Sequence, residues 1–473
     1  RQINSSSTSV ASVNGTTSGA NINSIASVTG HNVTMAAGRD LSAAAAVIDA
    51  TGNASLSAVR DIHLGTVRQH FTEQIQWDGV NRATLHASQD AATQINGNNI
   101  TLNAGRDLTA QGTQVTASAA LQATAGRDLT LGTANASASA RDQHQKRSGG
   151  LLSSTTTRTD DAGNDSRQSG SSFSGNTTVL AAGNNATITG SDVVSTQGTH
   201  ITAVNDLTID AATDTSHERR YRKETTSGIF SGGGLGVTAG SKMHSSDQTR
   251  STSIASGSLI GATGGDVVLA AGNHYRQSAS TVIAPQGDIS ISGRQVDIAA
   301  GVNTEQNTQE TQFRQQGLTL QISNPVVSAV QTVMSMQDAK AKTRNGRSKA
   351  LADAAGALAL ANAAAAVAGS AAPAGGIDVA VSIGASSHHS KTVQNSTTTA
   401  GSTVAARGNT TIAASGAGKD SNLTIIGSEI SGENVKLSAG NQINLLANRN
   451  TNAEHSTNKG SSASIGVSMG LSL

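Results

Sequence analysis

The chain has 473 residues, enough for two or three ordinary domains or for one elongated repeat domain. With 51 Gly, 3 Pro and 1% aromatic residues it excludes a globular core built round Phe, Tyr and Trp, so any core must use Ala, Val, Ile and Leu. Lys+Arg 32 against Asp+Glu 31 leaves a net charge of +1 spread along the chain, which gives no nucleic-acid footprint, and the lack of Cys excludes disulfides, thiolate metal sites and cysteine nucleophiles.

From the N-terminus, no charged-then-apolar leader follows Arg1, so a secretion signal is expected upstream and the chain reads as a piece of a longer protein. The phrase AGRDL then recurs at Ala37 to Leu41, Ala104 to Leu108 and Ala125 to Leu129, with variants at Ala58 to Ile62 and Ala203 to Leu207. Gly38 to Val59, Gly105 to Gly126 and Gly183 to Val204 share one interval of about 21 residues. Within this interval apolar residues alternate, as in Ile100, Leu102 and Ala104, the period of a strand with one buried face. Short alternating strands that return at this interval between Gly turns predict a solenoid, an all-β right-handed parallel β-helix. Five modules are expected, at about 30–64, 97–132, 175–210, 264–300 and 408–447, making about nine coils and a rod on the order of 40 Å.

Between the modules lie polar excursions at about 65–96, 133–174, 211–263, 301–407 and 448–473, read as β-hairpins or strands that project from the rod or continue it. Several contain glycine-rich alternating strands: Leu235, Val237 and Ala239; Ile377, Val379, Val381 and Ile383; Ile465, Val467, Met469, Leu471 and Leu473. Alternation of this kind suits a half-buried strand of a soluble sheet and equally a strand crossing an outer membrane with Gly and Ser facing a lumen. These residues are the candidate membrane- or partner-facing strands. Residues 326 to 370 break the β pattern: Asn324-Pro325 starts a helical spacing through Val326, Val330, Val333 and Met334, and after Asn345-Gly346 the stretch from Leu351 is almost pure Ala and Leu. Two helices are expected there; Asn362 and the weak hydrophobicity of Ala argue against a membrane span over Ala354 to Ala372. The organisation expected is coils with hairpins over 1–300, an excursion with the helical insert over 301–407, and coils with a terminal alternating strand over 408–473.

Candidate chemistry is sparse. The pairs Arg39-Asp40, Arg60-Asp61, Arg106-Asp107 and Arg127-Asp128 would stack on successive coils, and a turn ladder of carboxylates taking Arg and backbone N–H partners is favoured over a calcium site, which needs converging oxygens without competing Arg. His388-His389 are neighbours on a strand and point to opposite faces, so they do not share a metal. Trp77, Tyr221, Tyr275 and four Phe are too few for a saccharide-cleaving groove, so no enzyme activity, cofactor or metal is expected.

In its AGRDL repeats, in the phrase GNNITLNAGRDLTA from Gly97 to Ala110, and in its polar hairpins followed by glycine-rich strands, the sequence resembles filamentous haemagglutinin and the contact-dependent growth inhibition exoproteins of Gram-negative bacteria. The resemblance covers about Ile22 to the end. It implies two-partner secretion through an outer-membrane transporter, a secreted cell-surface location, and a stalk that carries adhesive or toxic elements outward. The mixture of coils, hairpins and helical insert is similar to the repeat region of the growth-inhibition exoproteins that engages the target cell's outer membrane, which makes a structural and delivery segment the expected function. The alternative is a haemagglutinin-type adhesin stalk that binds a host or bacterial surface receptor without entering a membrane.

Overall fold

The computed structural model describes residues 2–10, 13–233, 236–323 and 377–471; the expected helical insert over 326–370 and Leu235 lie outside them. The chain folds as a parallel β-helix of ten coils, each made of three short strands. In the third coil these are Gln94–Gly97, Ile100–Ala104 and Leu108–Gln111. Between the first and last coils each strand pairs in parallel with its equivalent above and below, and the register superposes like on like: Leu56, Leu102, Ala123, Leu180, Ile201 and Leu269 form one column, and Ile62, Leu108, Leu129, Ala186 and Leu207 another. These side chains are buried, and the small aliphatic composition fills the narrow interior. Tyr275 and Phe173 are the two aromatic exceptions in the core. The Tyr275 hydroxyl donates to Gln277 Oε1 at 2.9 Å, so its polar end is satisfied, and burial raises the phenol's pKa.

The sequence predicted about nine coils. The tenth is gained because the first strand of a pair of coils, such as Gln94–Gly97 or the segment from Ser172 to Gly175, precedes the glycine phrase that marks the repeat.

Each of the three corners carries its own ladder. At the corner between first and second strands, the Asn53 and Asp288 N–H groups donate to the Asn32 and Asp266 side chains at 2.9 and 2.8 Å. The AGRD turn forms the second corner. There Arg60 donates twice to Asp40, at 2.8 and 2.6 Å, Arg106 pairs with Asp61 and Arg127 with Asp107 in the same way, and Asn184 and Asn273 continue the series onto Asp128 and Asp206. Turns stack closely here: a Cβ on Gly126 would lie 2.2 Å from the Gly105 carbonyl oxygen, so glycine suits this turn, although Val59 and Val204 take the same place in two of the coils. At the third corner a column of buried hydroxyls runs through the rod: the N–H groups of Thr113, Ser171, Ser191 and Ser258 donate to the Oγ of Ser171, Ser191, Ser258 and Ser280 at 3.0 to 3.1 Å.

Excursions leave only from the third corner, and only from alternate coils. The odd coils close through a left-handed residue, namely Ala45, Gly112, Gly190, Ala279 and Gly427. The even coils run straight on into a hairpin, as Ile62–Gln76 and Leu129–Gly149 do without interruption. These excursions do not stand as separate fingers. Eleven strands form one antiparallel sheet in chain order: Gln2–Val10, Val13–Ala20, Ile62–Gln76, Arg82–Ala92, Leu129–Gly149, Ser153–Gly170, Ala212–Gly233, Gly236–Ser256, Gly301–Ser323, Ile377–Ala400 and Thr451–Leu471. The alternation follows from pitch. A hairpin advances a sheet by two strands, about 9.6 Å, and two coils advance the rod by the same distance, so rod and side sheet climb in step.

Candidate functional site: the distal face of the side sheet

Cross-strand partners in an antiparallel ladder share a face, so the register lays out the two faces of the side sheet row by row. Near the rod one face is polar and braced. Arg141 donates to both Asp160 oxygens at 2.9 and 2.8 Å, Arg219 binds Asp247 at 3.0 and 2.7 Å, and Arg82 donates to Gln143, which links five strands. Asp160 is buried, and the Arg141 guanidinium holds its carboxyl below the usual range.

Toward the free end the same face changes character. Tyr221, Asp247 and Glu310 share one row; Asp247 is held by Arg219, and Glu310 accepts from Gln312 at 2.9 Å and contacts His389 Nε2 at 3.0 Å. The next two rows bring Lys223, Lys459 and Arg314 onto this face, none of them with a carboxylate in reach among the described residues. A row of Ser227, Ser241, Gln316, Ala385 and Ala463 follows, and a groove of about 590 Å³ lies across it.

Beyond it the rows are apolar. Ile229, Ala239, Leu318, Ile383 and Ile465 form one, and Val237, Leu320, Val381 and Val467 the next, with Val379 and Met469 after them. Seven of the ten candidate residues, Val237, Val379, Val381, Ile383, Ile465, Val467 and Met469, are thus brought together on one face. Ile377 and Leu471 pair with each other across their strands at the far end. Ile229, Leu318 and Leu320 complete the patch and escaped the sequence reading. Their only signal was the short alternation Leu318, Leu320, Ile322 following Gly317.

The opposite face at the same height is made mostly of small residues, with Phe230, whose ring centroid lies 5.4 Å from Lys242 Nζ, the large exception. Gly228, Gly240, Gly317 and Gly384 stand in register across four strands, with Gly228 at φ 114° and Gly317 at φ 156°. A Cβ on Gly240 would lie 2.1 Å from the Gln316 carbonyl oxygen, so the row is closed to side chains. His388 sits on this face, in the row of Phe313, opposite to His389 as expected from strand alternation. Among the described residues no group of three or more His, Asp or Glu is placed to hold a metal ion, and no helix is long and apolar enough to cross a membrane.

Comparison with known proteins bears on this arrangement directly. The profile of the family described as hemagglutinin repeat matches residues 81–228 and 383–473, just over half of the chain. The chain belongs to this family. Both matched stretches of this hemagglutinin repeat protein begin inside the side sheet and run on through coils, so the repeat unit recognised is coil and hairpin together. Relatives include the 16S rRNA endonuclease CdiA of Enterobacter cloacae, 33% identical over 61% of this chain and 9% of its own length, and a tRNA nuclease CdiA of Escherichia coli, 32% identical over 93% of this chain and 14% of its own. A tRNA nuclease CdiA-2 of Burkholderia pseudomallei is 30% identical over 62% of the chain and 10% of its own length. The chain therefore spans about a tenth of these relatives. No solved structure matches.

Proposed function

We propose that this chain is a structural and delivery segment of a large secreted exoprotein of the contact-dependent growth inhibition type, exported by a two-partner transporter to the surface of a Gram-negative cell. In this reading the coils are the stalk and the side sheet is the surface that meets a target bacterium's outer membrane. The similarity to CdiA proteins over the repeat region supports the exoprotein assignment. The observation that carries the contact role is the gathering of exposed aliphatic side chains from five strands onto one face at the free end of the sheet. Monomeric soluble surfaces seldom keep such contiguous apolar area without a partner. The nuclease activities in the relatives' names belong to those proteins as wholes.

The test is binding of the fluorescently labelled chain to intact Gram-negative cells, read by sedimentation. Saturable binding that falls when Ile383, Ile465 and Val467 are together changed to Ser is expected. Absence of binding by the unaltered chain would remove the contact role and leave only the stalk.

A further inference from the structure

We propose that the reverse face of the side sheet, close to the rod, is a docking surface for a basic amphipathic helix of a second polypeptide. The inference goes beyond the contact role above and does not depend on it. It concerns the other face and an earlier part of the sheet, the strands Ile62–Gln76, Arg82–Ala92 and Leu129–Gly149.

On that face successive rows carry Phe71, Ala87 and Ala138, then Leu85 and Ala140, then Ile75 and Ala83. The stripe closes on Trp77, whose ring centroid lies 4.9 Å from that of His144. The turn holding Trp77 is fixed: Asp78 Oδ1 accepts from the N–H groups of Val80 and Asn81 at 2.8 and 2.7 Å, and Asn81 Oδ1 accepts from the Gln145 N–H at 2.5 Å. The stripe is also bounded. In the last two of those three rows the strands that follow carry Gly163, Glu218 and Arg250, then Asp161, Arg220 and Gln248. The reverse side of its own strands is polar, with Arg82 donating to Gln143 and Arg141 to Asp160. Strand propensity would spread aliphatic and aromatic residues over both faces and all strands, so their confinement to one stripe marks a surface that meets a partner.

The shape suits a helix. Four rows about 6.8 Å apart on three strands about 4.8 Å apart make a stripe roughly 20 Å long and 14 Å wide, the length of about 13 helical residues and slightly more than one helix diameter. Alanines lower its floor. A groove of about 600 Å³ lies over Phe71, Ala87, Ala136 and Ala138, and Leu85, 38% exposed, stands beside it as a raised knob.

Charge names the complement. Asp165 and Asp161 border the stripe along Ser153–Gly170, and Asp142 and Glu73 stand in its rows. Asp142 contacts His144 Nε2 at 2.7 Å, whereas Glu73, Asp161 and Asp165 have no cationic side chain within ion-pair reach among the described residues. Arg167 is the one Arg or Lys lining the groove. Carboxylates along an apolar stripe repel anionic lipid and attract Lys and Arg, so the matching surface is an apolar helix face bordered by cations.

The probe is an amphipathic peptide of about 14 residues built of Leu and Lys, with a counterpart in which every Lys is Glu. Trp77 is the chain's single Trp, so its emission reports on the stripe alone. Titration of the full chain with the Leu/Lys peptide is expected to move that emission to shorter wavelength and to saturate; the Leu/Glu peptide is expected to leave it unmoved. Asp161→Asn with Asp165→Asn should weaken binding roughly fivefold to tenfold, and Leu85→Ser on the order of tenfold. Asp49→Asn with Glu429→Gln, exposed acids of the rod, should change nothing. Circular dichroism checks that each variant folds. No saturable response to the Leu/Lys peptide, an equal response to both peptides, or as large a loss from the rod acids as from Asp161 and Asp165 would each overturn the proposal. An emission that answers to maltohexaose and ignores the peptide overturns it too, and makes the stripe a saccharide platform.

Discussion

The rod and the side sheet use the same chain and nearly the same alternation of residues, yet they are held in different ways. In the inner coils of the rod an inward side chain is enclosed by the two other strands of its coil and by the coils above and below, so Leu102, Leu108 and Ile291 have no exposed surface at all. In the sheet there is no third side, and stability comes from cross-strand pairs such as Arg141 with Asp160 and from the rod to which every second coil ties it. Burial sets the first; register sets the second. A repeat that would be redundant in a simple solenoid is therefore constrained here by a neighbour with a two-coil period.

The sharpest way to break the pairing is to remove one coil. Deleting residues 94–113 joins Thr93 to Gln114, which the ladder treats as equivalent to Gln94, so the rod is expected to close up while the hairpins are thrown out of step by one strand. Widespread loss of hydrogen-exchange protection in the sheet with the coils retained is the expected result. Deleting residues 94–171 removes two coils and a whole hairpin and should preserve both. Next in size, Phe173→Ala empties a fully buried site and should cost about 3–5 kcal/mol, read as exchange localised to the neighbouring coils. At the third corner, a Cβ on Gly190 would lie 2.5 Å from Ala212 Cβ, whereas the corner at Ala279 faces Gly301. Gly190→Ala should cost roughly 2–3 kcal/mol in a thermal melt, and Ala212→Gly in the same chain should recover most of it.

In the sheet, Arg141→Met leaves the buried Asp160 carboxylate with a weaker partner in Arg219 and should cost roughly 1–2 kcal/mol, with faster exchange confined to the hairpins. The smallest effect concerns acid. The Arg106 guanidinium lowers the Asp61 carboxyl to about 2, and Arg60 lowers that of Asp40. Because the folded value lies below the unfolded one, these pairs stabilise the rod above pH ~4 and the contribution drains away between about pH 4 and 2. Melting temperature should fall through that window less steeply in Arg106→Gln than in the unaltered chain.

The rod was legible in the sequence because its partners are local in a special sense: strands that pair lie one repeat apart wherever no hairpin intervenes, so apolar positions, turn glycines and Arg-Asp pairs all recur at one interval. The excursions were legible as hairpins for the same reason, each strand folding onto the next. What could not be read was that successive hairpins join edge to edge. Lys223 and Lys459 reach the same row through four strand pairings, from distant parts of the chain, and no periodicity in the sequence encodes that meeting. The ends of the patch were visible in Val237, Val381 and Ile465, while Leu318 and Leu320 sat in a short run that acquires meaning only beside its neighbours.

The turn ladders have a direction. At the AGRD corner the carboxylate belongs to the earlier storey and the guanidinium or amide to the later, as in Asp40 and Arg60, Asp61 and Arg106, or Asp128 and Asn184. A chain laid down from its N-terminal end thus always presents a finished acceptor to the arriving donor, and each addition sets out the acceptor for its successor. Growth of this kind ratchets forward, since detaching a storey exposes charges that the one before it had already matched.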